Sequence, residues 1–125
     1  MKESEGTRLK QARESLDEAQ ALLAENMDTG FILTNLYYAY YYPILALIYE
    51  GQVPSAMQSI SLGLFDQQYI KTGLFKKKYG DAISRIFSVK PKCSGEKTLV
   101  DAEEVRQLST LASAFICDVE TYLEK

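Results

Sequence analysis

Phe31-Ile32-Leu33-Thr34-Asn35-Leu36-Tyr37-Tyr38-Ala39-Tyr40-Tyr41-Tyr42-Pro43-Ile44-Leu45-Ala46-Leu47-Ile48-Tyr49 is the stretch whose reading decides the fold. It approaches the roughly 20 apolar residues that span a bilayer. Its interior, however, carries Thr34, Asn35, a tyrosine cluster and Pro43, and no basic residue flanks it closely on either side. It reads as the central helix of a packed protein, apolar almost all round because neighbours cover it on more than one side. At helical spacing Tyr37, Tyr40, Ile44 and Leu47 share one face, and Tyr38, Tyr41, Leu45 and Tyr49 share another. Two apolar faces need two partners, and core packing plus a dimer interface supplies them. Pro43 removes a backbone donor and crowds the carbonyl of Ala39, a penalty of about 3 kcal/mol in a straight helix, so a kink is expected there.

The neighbouring segments follow the same period. Leu9, Ala12, Leu16, Ala19 and Leu23 recur at three- and four-residue steps with Arg13, Glu14, Asp17 and Glu18 between them, an amphipathic first helix ending near Asn26. Asp28 is a candidate cap for the central helix, and Gly51 stops it. After Gln52-Val53-Pro54, Ser55 and Gln58 stand in capping-box spacing and open a third helix carrying Met57, Ile60, Leu64 and Ile70. Beyond Gly73, the residues Phe75, Tyr79, Ala82, Ile83, Ile86 and Phe87 mark a fourth amphipathic helix, ended by Pro91. Lys92 to Thr98 has the composition of a surface loop. Asp101 and Glu104 repeat the capping-box spacing before Val105, Leu108, Ala112, Phe115, Val119 and Tyr122, the seam of a last helix that packs on a partner helix. The fold class expected is all-α: an up-and-down bundle of four to five helices forming one domain over residues 1–125.

Composition narrows the function classes. The net charge of -3 indicates neither general nucleic-acid binding nor attraction to an anionic membrane. The charge is unevenly placed: residues 71–92 carry +6 and the rest of the chain carries −9. Lys71, Lys78 and Arg85 lie at seven-residue intervals and form a basic edge if the helix there is nearly continuous. Cys93 and Cys117 form no close pair, and without histidine no usual zinc set can be assembled, so the chain reads as reduced and cytoplasmic with no metal or cofactor. The N-terminus, with Lys2, Glu3, Glu5, Arg8 and Lys10, lacks the apolar core of a signal peptide.

Catalytic patterns are absent on the same evidence. Adjacent acids such as Asp17 with Glu18, or Glu103 with Glu104, do not face one another on a helix. No serine or threonine has a histidine to activate it, and Lys71-Thr72-Gly73 lacks the glycine-rich lead-in of a phosphate loop.

Three blocks carry a resemblance: Ser15-Leu16-Asp17-Glu18-Ala19 with Leu22-Leu23, then Leu36-Tyr37-Tyr38-Ala39 with Ala46-Leu47, then Phe65 followed by Tyr69-Ile70-Lys71-Thr72-Gly73. In order and spacing they resemble the successive blocks of small prokaryotic HEPN proteins, over nearly the whole chain. The resemblance implies a helical bundle that often dimerises and is frequently encoded beside a minimal nucleotidyltransferase, in some cases as toxin and antitoxin. Active HEPN ribonucleases carry an arginine shortly followed by a histidine near the start of the last helix. Here the corresponding stretch reads Lys90-Pro91-Lys92-Cys93-Ser94-Gly95, with neither residue, and Tyr42 and Gln58 stand where relatives often have histidine. Positioned proton transfer contributes about a hundredfold to ten-thousandfold in rate, and imidazole is its usual neutral-pH carrier. A histidine-dependent nuclease is therefore not expected, and no residue is assigned a catalytic role.

Two functions remain as expectations. The first is a non-catalytic HEPN-type homodimer that partners a minimal nucleotidyltransferase. The second is a nucleotide- or RNA-binding module in which Tyr41 or Tyr42 stacks a base and Lys77, Lys78, Arg85 and Lys90 meet phosphate.

Overall fold

The computed structural model describes residues 3–25, 29–48, 58–89 and 101–124. They form five α-helices: α1 (Glu3–Ala24), α2 (Thr29–Ile48), α3 (Gln58–Phe65), α4 (Lys77–Val89) and α5 (Ala102–Leu123). A π-helical turn, Asp66–Ile70, extends α3. Among the described residues there is no strand, and the fold is all-helical.

α1 turns Leu9, Ala12, Leu16 and Ala19 inward, the stripe that its period predicts, while Glu14, Asp17 and Glu18 face outward. α2 is the hub. It packs against α1 along most of its length and also meets α5, α3 and α4. Much of both apolar faces is covered from within the chain: Leu33, Leu36, Tyr37, Tyr40, Tyr41, Ile44 and Leu45 are buried, whereas Tyr38 and Leu47 are only partly so. Gly30–Ile48 is long and apolar enough to cross a membrane by length and composition, yet 61% of that stretch is buried inside the protein. α2 continues as a helix through Pro43, which lies in its interior.

The side-chain bridges fix the relative directions of the helices. Arg13 pairs with Glu120, and Gln20 donates to the Ser109 hydroxyl at 3.3 Å, so α1 and α5 run antiparallel. Arg85 pairs with Glu104 and the Tyr79 hydroxyl donates to the Asp118 carboxylate, which sets α4 antiparallel to α5. α5 begins as its sequence indicates: the Asp101 carboxylate caps it by accepting from the Glu104 amide at 2.8 Å. The reciprocal arm of the expected capping box is diverted, because the Glu104 carboxylate is turned to Arg85. Val105, Leu108, Ala112, Phe115 and Val119 form the buried seam, and Tyr122 closes it beside Tyr69 and Phe75.

Between α3 and α4 the condition for a basic edge running through Lys71 is not met. The helix is not continuous through Lys71: the Phe75 amide reaches back to the Tyr69 carbonyl at 2.9 Å, and Gly73 takes a positive φ of 81°. Such a backbone suits glycine because a Cβ there meets the neighbouring carbonyl. The turn swings Phe75 into an aromatic cluster with Phe65, Tyr69 and Phe115. Lys71 therefore leaves the Lys78–Arg85 face and instead lies 3.6 Å from Asp66. The Asp28 cap, Tyr49, the Ser55–Gln58 box and the loop with Lys90 and Cys93 lie outside what is described; of Gln58 only the backbone is described.

Candidate functional site

The residues expected to bind a ligand are only partly brought together. Lys77 and Lys78 stand exposed in the first turn of α4, with the Lys78 ammonium 5.6 Å from the centre of the Tyr79 ring. Arg85, two turns further on, donates from Nε and one Nη to both carboxylate oxygens of Glu104 at 3.0 and 3.1 Å. That bidentate grip holds the guanidinium firmly protonated and occupies its Nε edge, while the side chain stays 40% exposed. Lys90 lies outside the described residues.

The structure places Tyr41 and Tyr42 differently. Tyr41 is only 5% exposed and stacks on Tyr37, with ring centres 5.5 Å apart. Tyr42 is half-buried and stacks on Tyr38 at 5.6 Å. Consecutive helical residues project about 100° apart, so these two stacks belong to different faces of α2. Tyr41 would have to leave the core to offer its ring.

A groove lies between α3 and α4. Leu62, Gly63, Phe65 and Asp66 form one wall and Gly80, Ile83, Ser84 and Phe87 the other, around a cavity of about 270 Å³. Gly63 leaves it open towards the described residues: a Cβ built there meets none of their atoms within 4 Å. On the other wall Gly80 packs closely, since a Cβ there would come within 3.3 Å of Ile70. Phe87, 41% exposed, forms a partly solvated apolar rim. Along α4 the residues 77, 80, 84 and 87 follow three- and four-residue steps, so Lys77 continues the groove-lining strip by one turn. Among the described lining residues Asp66 is the one that ionises, and it has Lys71 beside it.

Among the described residues no group of three or more His, Cys, Asp or Glu stands ready for a metal ion. The perturbed phenols shift away from neutrality. Burial, then the neighbouring Tyr41 and Tyr38 rings, pushes Tyr37 up to about 12. Burial also raises Tyr40, Tyr69 and Tyr79, with the Asp118 hydrogen bond adding to the last. A phenol held neutral donates a hydrogen bond well but does not act as a general base at pH 7.

Sequence reasoning missed the groove. Its walls read as ordinary core positions, and the one available signal was Gly63, a glycine inside the apolar run from Ile60 to Leu64. A glycine there weakens a helix by about 0.5–1 kcal/mol relative to alanine, a cost that marks a position where space is left open or a backbone comes close.

The chain is similar to a UPF0332 protein of Thermotoga maritima, with 28% identity over 116 residues, which cover 92% of this chain and 87% of that relative. No family model and no solved structure matches the chain.

Proposed function

We propose that the chain is a HEPN-type helical protein that works by binding rather than by catalysis, as a homodimer partnering a minimal nucleotidyltransferase in a toxin–antitoxin-like pair. The blocks that carry the HEPN resemblance fall on successive helical elements: Ser15–Ala19 on α1, Leu36–Ala39 on α2, and Phe65 with Tyr69–Ile70 on α3 and its π-turn. The likeness to the UPF0332 protein runs over nearly the same length. The observation that carries the reading is chemical: the 125 residues contain no histidine. The described structure adds a possible binding surface, the α3–α4 groove with exposed lysines at one end.

The test is co-expression of the chain with the nucleotidyltransferase encoded by the adjacent reading frame, followed by affinity capture of either. Stoichiometric co-purification is expected. Independent behaviour of both proteins, or no such reading frame, would remove the proposal.

One observation favours nucleotide or RNA binding as a second reading. Lys76, Lys77 and Lys78 crowd the N-terminal end of α4, where the helix dipole disfavours cations, and none of the three forms an ion pair among the described residues. On this reading, RNA affinity falls steeply with salt and is lost in a Lys77→Ala, Lys78→Ala variant. A flat isotherm with nucleotides and with RNA at low salt would rule it out.

A further inference from the structure

We infer that the α3–α4 groove docks an acidic amphipathic helix of a partner protein, which seats an apolar anchor side chain in the cavity and presents carboxylates to Lys76 and Lys77. The inference rests on the proposed function, that the chain acts by holding a protein partner, and names the surface and the chemistry of what it holds.

Size and lining select the kind of occupant. At about 270 Å³ the cavity falls just below the roughly 300–1,000 Å³ of sites that enclose a cofactor or drug-sized ligand. It suits a large apolar side chain delivered by a macromolecule, the arrangement found where an anchor residue fills a pocket at the centre of an interface. Leu62, Phe65, Ile83 and Phe87 supply the apolar walls, and Ser84 adds a hydroxyl at the edge. Two roughly facing helical walls leave a trough, which a third helix fills by laying its apolar strip along it.

Charge selects the sign of that helix. Lys77 extends the groove-lining strip by one turn, Lys76 precedes it, and both are exposed. On the opposite wall the Asp66 carboxylate lies 3.6 Å from the Lys71 ammonium, so the acid is locally offset. Residues 71–92 together carry +6. A helix with glutamates or aspartates beside its apolar anchor gains at this end, whereas a basic helix is repelled.

Gly63 is an independent indication. It lies inside α3, its backbone does not take a positive φ, and a Cβ there meets no atom of the described residues within 4 Å. Local geometry does not require glycine at this position. The residue's structural consequence is an open cavity, and a larger side chain would close it.

The test uses the full chain, isotopically labelled, titrated with a synthetic helical peptide that has one leucine and phenylalanine strip flanked by glutamates. A sign-reversed peptide with lysines in place of the glutamates serves as comparison. Saturable binding of the acidic peptide is expected, with the largest shifts at the amides of Ile83, Ser84 and Phe87. Gly63→Leu should weaken it by roughly tenfold or more by filling the anchor pocket. Lys77→Glu, a surface change that leaves the core untouched, should weaken it by about fivefold and remove most of its salt dependence. Equal binding of the reversed peptide, failure of the acidic peptide to bind, or an affinity unchanged in both variants would overturn the inference. So would RNA displacing the peptide from the same amides with higher affinity, or self-association of the chain abolished by Gly63→Leu. Repeating the two variants against the nucleotidyltransferase separates the claims. A complex that survives both upholds the partner reading and overturns the groove; peptide binding without any complex upholds the groove and removes that partner.

Discussion

The hydroxyl of Tyr40, buried in α2, donates to the main-chain carbonyl of Leu108 in α5 at 2.6 Å. The bond ties the hub helix to the last helix at a point where the Tyr40 ring also stacks on Phe115, with centres 5.8 Å apart. Burial keeps this phenol neutral and so keeps it a donor. Tyr40→Phe retains the ring and removes the bond. The Leu108 carbonyl keeps its partner within α5, so the expected loss is about 1 kcal/mol, read as a midpoint shift in urea unfolding with an unchanged slope. No shift would mean that the bond contributes nothing net.

Three glycines should respond in different directions. Gly63→Ala adds a Cβ into open space in a helix and should stabilise by about 0.5–1 kcal/mol. Gly73→Ala forces a Cβ into a backbone with φ of 81° and should destabilise by about 1 kcal/mol or more. Gly80→Val pushes against Ile70, already 3.3 Å from a built Cβ, and should cost about 1–3 kcal/mol. Thermal unfolding of the three variants checks the order; a destabilised Gly63→Ala would contradict the open groove.

Stability should fall at alkaline pH. The folded state holds the Tyr37 proton more tightly than the unfolded chain does, with its pKa raised from 10.0 to about 12. The stabilisation is complete below the unfolded value and is lost as pH rises through the folded one. Tyr40, Tyr69 and Tyr79 shift in the same direction and reinforce it. Melting followed with tyrosinate absorbance should show a plateau below pH 10 and a decline above it. Ionisation of all the tyrosines near their ordinary value without unfolding would contradict the packing.

Arg85 should matter to the fold more than to any nucleic acid. Its Nε edge is held by Glu104, so Arg85→Ala is expected to lower thermal stability slightly and to leave RNA affinity unchanged. A double-mutant cycle with Glu104→Gln measures the coupling. Loss of RNA binding in Arg85→Ala with an unaltered melt would reverse this assignment.

The helices were legible in the sequence because burial imposes a three- and four-residue period wherever one face is covered. Leu9, Ala12, Leu16 and Ala19 show it in α1, and Val105, Leu108, Ala112, Phe115 and Val119 show it in α5. The core placement of α2 was legible for the converse reason, since no polar stripe interrupts it. The turn at residues 71–76 was less so. Gly73 signals a weak join, but the direction of the chain after it depends on Phe75 meeting Phe65 and Phe115, which are distant in sequence. The basic edge was half legible: Lys77 and Lys78 are exposed as composition suggests, whereas the carboxylate that occupies Arg85 comes from another helix. Burial of Tyr41 could not be told from a cleft position, because a tyrosine has both an apolar body and a polar tip.

The most direct measurement is a calorimetric titration of the purified chain with the purified nucleotidyltransferase of the neighbouring reading frame, with RNA turnover at neutral pH followed on the same samples. A saturable complex with no cleavage by the chain alone is the predicted result. Absence of heat at any ratio, or a ribonucleotide strand cut by this histidine-free protein, would contradict it.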